Sequence, residues 1–144
     1  MKNHSFEAIT YYITEDAMTK MLSHCIDALP FEACGFLSGK LGFGEEVWKT
    51  KNSSSSVHSF QINERDIEDI HETVEKRNHQ ITGMYHSHPK ALAYPSPMDI
   101  LYAPEDLMAY LIWSLLPPKP ILRCYLIQQK AIYEISYKVI KRGD

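Results

Sequence analysis

The sequence predicts an α/β domain built on a mixed β-sheet. Three observations carry that prediction. Short apolar runs bounded by Gly, Pro or Asn recur along the chain, as strands do. Two other segments repeat their apolar residues at helical spacing. The two patterns alternate rather than segregate, which is the order of a layered α/β fold. The chain has 144 residues, so residues 1–144 are read as a single domain.

Each element has its own warrant. Thr14 reads as an N-cap, with Glu15 and Asp16 in the first turn of a helix. Ala17, Met18, Met21, Leu22, Cys25 and Ile26 form its apolar stripe, and Pro30 forces an end near Leu29. Residues 34–37, bounded by Gly39, read as a buried strand. Residues 45–51 pair with it as a hairpin through Gly42 and Gly44. Ser53 to Ser56 form a connecting loop. Phe60 and Ile62 suggest a further short strand. Asn63 then caps a second helix through about Lys76, with Ile67, Ile70 and Val74 as its core stripe. Residues 81–88 read as a strand. Ser96-Pro97 opens a short helix that Pro104 closes. Residues 108–115 fit a buried strand. After the loop of Pro117, Pro118 and Pro120 come strands over 121–128 and 131–139, with Gln129-Lys130 at their turn.

Composition narrows the function. Hydrophobic residues are 44% and charged residues 23%, ordinary for a globular protein. Fifteen basic against eighteen acidic residues give a net charge of −3, which disfavours a nucleic-acid partner. The start, MKNHSFEAITYYITED, lacks the apolar core of a secretory signal. The longest apolar stretch, 107–116, is too short to span a bilayer. Cys25, Cys34 and Cys124 are widely spaced and form no C-x-x-C pair. They read as reduced thiols in a cytoplasmic protein without a membrane partner.

One constellation carries chemistry. His86 and His88 end a predicted strand, where residues i and i+2 share a face. Ser96 and Asp99 follow, giving H-x-H-x7-S-x-x-D. Two imidazoles, one carboxylate and an open fourth position suit catalytic zinc. Ser96-x-x-Asp99 alone is an ordinary capping box, and a lone H-x-H pair carries little. Chance assembly of all four positions is on the order of one in a thousand. Zinc chemistry on an amide also needs a base that is not a ligand. Glu32 precedes a buried strand, an unusual place for an acid without a role, and is the candidate. The Ser96 hydroxyl is placed to steady a developing oxyanion.

These residues resemble a family. Glu32, His86, His88, Ser96 and Asp99 match the signature of the JAMM (MPN-domain) metallopeptidases, E…H-x-H-x7-S-x-x-D. The flanks, P-x-E-x-C-G-x-L-x-G at 30–39, H-S-H-P at 86–89 and P-S-P-x-D at 95–99, are similar to those of its compact prokaryotic members. So is the stretch 110–114, and the likeness runs from about residue 9 to 139. The resemblance implies a cytidine-deaminase-like fold, a mixed sheet flanked by helices on both sides. It implies Zn2+ held by His86, His88 and Asp99 with water as fourth ligand, Glu32 as general base and then acid, and Ser96 steadying the tetrahedral intermediate. It implies hydrolysis of a peptide or isopeptide bond after the Gly-Gly tail of a ubiquitin-like protein. For the compact members the partner implied is a ThiS-like sulfur carrier. The chain is too short for the insertions with which larger relatives grip ubiquitin, which favours a small carrier. Residues 89–95 are expected to loop over the metal, and the tail to add as a β-strand beside the catalytic strands.

Other readings are carried beside this one. A non-catalytic MPN scaffold would be marked by lost ligands, and none is lost. A nucleobase deaminase needs H-x-E and P-C-x-x-C, and the chain has neither. A DNA-repair relative would carry a helical DNA-binding region, for which there is no room. Cys34 is read as a buried inert thiol, and Trp48 and Trp113 as core. His4, His24, His58, His71 and His79 have no ligand spacing and are read as solvated or satisfied. Tyr94 reads equally as a loop aromatic or a channel wall. Lys138, Lys141 and Arg142 read as a solvated basic end.

Overall fold

The computed structural model describes residues 9–54, 56–104 and 108–141. Thr14 closes the first strand, β1 (Thr10–Thr14), and opens α1 (Glu15–Asp27). Its Oγ1 accepts the Ala17 N–H at 3.1 Å, the N-cap bond that threonine supplies. Ala17, Met21 and Cys25 make the buried stripe of α1, and Met18 and Leu22 pack at its margin. The helix stops ahead of Pro30, whose ring cannot follow a helical turn.

The other strands are β2 (Cys34–Gly39), β3 (Phe43–Gly44), β4 (Glu46–Thr50), β5 (Gln80–His88), β6 (Ala109–Ser114), β7 (Ile121–Gln128) and β8 (Ala131–Ile140). Two more helices are α2 (Glu64–Lys76) and α3 (Pro97–Tyr102). The strands form one sheet in the order β3-β1-β8-β7-β6-β5-β2-β4. It is mixed, as predicted: β1 runs parallel to β3 and β8, β5 runs parallel to β6, and the remaining neighbours are antiparallel. The β2–β4 hairpin forms, with β3 inserted in its connection. Gly35 lets that hairpin close. A Cβ there would stand 2.5 Å from the Trp48 carbonyl oxygen and 2.6 Å from the Tyr85 ring.

Alternation along the strands divides the core. One face carries Tyr11, Ile13, Leu37, Tyr85, Leu111 and Trp113 against α1. The other carries Met84, Tyr110, Ile112, Tyr125 and Ile127, closed over by Ala93 and Ala103. His71 of α2 sits on that second face, 6.4 Å from Phe36 between ring centroids. Helices therefore lie on both sides of the sheet. No helix among the described residues is long and apolar enough to cross a membrane.

The structure corrects three local expectations. Phe60 and Ile62 are not in a strand. Asn52 and the serines beside it bond the backbone of this segment instead, offering it an alternative to a ladder. In α2 only Val74 is buried, while Ile67 and Ile70 are half-buried. Ile67 faces a cavity rather than the core. His79 is neither solvated nor satisfied at Nδ1, which is buried without a partner among the described residues. Of the other spare histidines, His24 bonds the Tyr85 hydroxyl at 2.6 Å and His58 lines the same cavity as Ile67. His4 and Arg142 lie outside the described residues.

Candidate metal centre

The site stands at the carboxyl end of β5, where β5 runs parallel to β6 and the connection between them carries α3. His86 and His88 project from β5 on one face, as the i, i+2 spacing requires. Asp99 enters from the first turn of α3. Its placement is local chemistry: the Ser96 Oγ accepts the Asp99 N–H at 3.1 Å, and Asp99 Oδ2 accepts the Ser96 N–H at 2.8 Å. This capping box, with Pro97 behind it, fixes where the carboxylate points.

Three atoms meet at the centre. His86 Nε2 and His88 Nε2 are 3.1 Å apart, and Asp99 Oδ2 stands 3.2 Å from the first and 3.1 Å from the second. All three residues are buried, and they are the metal-competent group found among the described residues. Tetrahedral bonds of about 2.0–2.1 Å to zinc hold ligand atoms about 3.3 Å apart, close to these edges. The donor set fits as well. His88 Nδ1 bonds the Leu92 carbonyl at 2.7 Å. A carbonyl only accepts, so Nδ1 carries the proton and, in a neutral ring, Nε2 presents a lone pair to Asp99. Electron-rich atoms at this spacing call for a cation between them.

Burial and bonding tune each group. Burial alone would raise the Asp99 carboxyl, but bonds to His86, His88 and the Ser96 N–H outweigh it and hold it well below the ordinary carboxylate range. Burial lowers His86. It also pulls on His88, where bonds to Asp99 and the Leu92 carbonyl prevail and raise it. A cation therefore meets a readily neutral ring at His86, and at His88 it has to displace a proton that these bonds favour.

Glu32 lies beside this centre without joining it. The residue is 5% exposed, and Oε1 is buried with no hydrogen-bond partner among the described residues. Burial pushes the carboxyl up to about 7, with His88 opposing and Asp99 adding to the rise. Its backbone is pinned from both sides. The Ala33 N–H donates to Ser87 Oγ at 2.9 Å, and the Ser87 N–H donates to the Ala33 carbonyl at 3.1 Å. Asn52 Nδ2 donates to the Glu32 carbonyl at 2.9 Å. Cys34, read as inert, is buried and accepts a bond from the Thr50 hydroxyl at 3.3 Å.

The connection 89–95 is held in place, not draped. Besides the His88 bond to Leu92, Ser114 Oγ donates to the Ala91 carbonyl at 2.7 Å and the Tyr125 hydroxyl donates to the Ala93 carbonyl. Tyr94 is 55% exposed and meets Tyr125 edge-on. A cavity of about 430 Å³ opens beside Asp99, floored by Phe60, Ile67, Met84, Met98 and Tyr110. Within the sheet β5 is an interior strand, with β2 on one side and β6 on the other. Sequence reasoning missed Asn52, Phe60, Ser87 and Tyr125. Only Ser87, between two candidate ligands, carried a sequence signal.

Comparison with known proteins places the sequence and the fold in a family. The family model for prokaryotic homologs of the JAB domain matches residues 14–128. The CysO-cysteine peptidases of Mycobacterium tuberculosis and Mycobacterium bovis are 28% identical over 133 residues, covering 90% of this chain and 91% of theirs. A solution structure from Desulfitobacterium hafniense superposes with a TM-score of 0.84 at 31% identity, covering 92% of this chain and 94% of that one. A JAB1/MPN domain protein from Archaeoglobus fulgidus shares the fold at a TM-score of 0.64 and 18% identity, covering 90% and 99%. The family match begins at the N-cap of α1, ends with the last residue of β7 and takes in the whole centre. The chain therefore belongs to the prokaryotic homologues of the JAB domain, a compact branch of the JAMM/MPN family.

Proposed function

We propose that this protein is a cytoplasmic zinc-dependent peptidase. It would hydrolyse the bond after the C-terminal Gly-Gly tail of a ubiquitin-like or ThiS-like sulfur-carrier protein, releasing the residue attached there. The observation that carries this reading is the triangle of His86, His88 and Asp99, with Glu32 beside it, whose Oε1 is buried without a hydrogen-bond partner among the described residues. The mycobacterial relatives, named as CysO-cysteine peptidases, support the substrate class.

His86, His88 and Asp99 would hold the zinc. When bound, zinc polarises the scissile carbonyl and makes water acidic enough to attack near neutral pH. Glu32 accepts the proton of the attacking water and returns it to the leaving nitrogen. A carboxyl near neutral pKa suits both halves of that transfer. Ser96 uses an Oγ lone pair for the cap bond to Asp99, which leaves its O–H free to donate to the developing oxyanion. The cavity beside Asp99 offers the tail an apolar recess next to the reacting bond.

The test is the intact mass of a Gly-Gly-ended sulfur carrier bearing one added C-terminal cysteine, before and after incubation with zinc-loaded protein. The expected result is loss of the cysteine, abolished by chelator and by Glu32→Gln. An unchanged mass with zinc bound overturns this substrate assignment. Cleavage that survives Glu32→Gln overturns the role of Glu32.

A further inference from the structure

The two histidines of the centre are held in different ways. A metal-bound histidine nearly always donates its second ring N–H to a carbonyl, carboxylate or water, which fixes the ring. His88 does so, through Nδ1 to the Leu92 carbonyl. His86 does not: it is fully buried, and its Nδ1 has no hydrogen-bond partner among the described residues. Aromatic rings surround it instead. Phe60 lies over the His86 ring with centroids 4.7 Å apart and planes 32° from parallel. Tyr110 closes another side, 5.4 Å away at 62°.

Phe60 is itself held. Asn52 Nδ2 donates to the carbonyl of Ser59, and Asn52 Oδ1 accepts the N–H of Gln61, so one amide grips the residues on both sides of Phe60. The same Nδ2 donates to the Glu32 carbonyl. Ser53 adds a further bond from its N–H to the Gln61 carbonyl at 2.8 Å. The ring is therefore placed by a network, in a segment that has no ladder of its own.

We propose that Phe60 is a positioning residue for His86, and that its ring face does the work that a hydrogen-bond acceptor does for His88. This rests on the reading of His86 as a metal ligand. The tilted contact with the Phe60 ring restricts the plane of the imidazole and so aims Nε2 at the shared point with His88 and Asp99. Because Asn52 joins Phe60 to the Glu32 backbone, the ligand and the base are set by one piece of chain.

Phe60 also lines the cavity, so activity alone does not isolate this role. The test is zinc affinity by chelator competition in wild type, Phe60→Ala, Phe60→Leu and Phe60→Tyr. Loss of an outer partner of a ligand typically costs about 10–100-fold in metal affinity. Alanine and leucine should each weaken zinc by about tenfold or more, and tyrosine should stay within about twofold of wild type. The His86 ring protons, shielded by the Phe60 face in wild type, should move downfield in the alanine and leucine variants. Leucine fills the space without a ring, so it serves where alanine destabilises the segment. Wild-type affinity in Phe60→Leu, or in folded Phe60→Ala, overturns the proposal. Failure of the wild type to bind zinc overturns the underlying metal reading, and is visible before any substitution is made.

Discussion

Replacing Glu32 by glutamine should stabilise the metal-free fold, and should do so only above about pH 5. The substitution keeps the shape of the side chain and removes its charge. Glu32 is almost wholly buried and Oε1 has no partner among the described residues. Burial, opposed by His88 and assisted by Asp99, moves its carboxyl from 4.5 to about 7. At about 1.4 kcal/mol per pH unit, that gap makes ionising the buried carboxyl cost about 3 kcal/mol. Water at the mouth of the site screens part of this, leaving about 2 kcal/mol. Below about pH 4.5 the carboxyl is protonated in both folded and unfolded chains, and the stability is intact. As pH rises from there to about 7 the unfolded chain gives up the proton first, so stability is lost across that window. Glutamine has no such proton. Thermal unfolding in chelator should therefore give similar Tm values for the two proteins at pH 5. At pH 8 Glu32→Gln should melt about 6 °C higher, taking about 3 °C per kcal/mol for a chain of this size. A Tm difference that stays constant from pH 5 to pH 8 would refute the reasoning. It would mean that the fold does not penalise the Glu32 charge, and the case for a near-neutral base would fall with it.

Three more outcomes are expected. His88→Ala should reduce zinc to well below one equivalent by elemental analysis and abolish turnover, since it removes one of three ligand atoms; full occupancy would break the ligand assignment. The kcat/KM for the cysteine-tailed carrier should fall on the acid side with a slope of one, because protonated Glu32 accepts no proton. The midpoint should lie no higher than about 7, since zinc favours the carboxylate; an acid limb with its midpoint well above 7 would assign the titration to another group. Gly35→Ala should cost about 1–3 kcal/mol in urea unfolding, because its Cβ meets the Trp48 backbone oxygen and the buried Tyr85 ring. An unchanged midpoint would show that β2, β4 and Tyr85 pack less closely than described.

The legible parts of the centre are those whose geometry is local. His86 and His88 converge because strand side chains alternate, and that follows from two positions. Asp99 is aimed by a capping box that spans four residues and is visible as Ser96-Pro97-x-Asp99. Glu32 is different. Its position depends on the register that sets Cys34 opposite His86, and on the paired bonds between Ala33 and Ser87. Only its odd place before a buried strand and the family resemblance pointed to it. Phe60 was misread because alternation over two residues is too short to tell a strand from a braced loop. The α2 stripe was right in period but not in burial, since spacing says which face is apolar and not how far a neighbour covers it.

The sequence by itself determined the mixed α/β architecture, the bounds of most elements, and the three residues, His86, His88 and Asp99, that meet at the centre. Each rests on interactions within a few residues, or on a hydrophobic period that only one kind of element satisfies. Tertiary structure alone decided what surrounds those atoms: the burial that lifts Glu32, the Leu92 carbonyl on His88, the Phe60 ring on His86, and the Asn52 amide that links base to ligand. Apart from the Leu92 carbonyl, which turns back on His88 from four residues on, these contacts join residues distant in sequence that meet only when the fold forms.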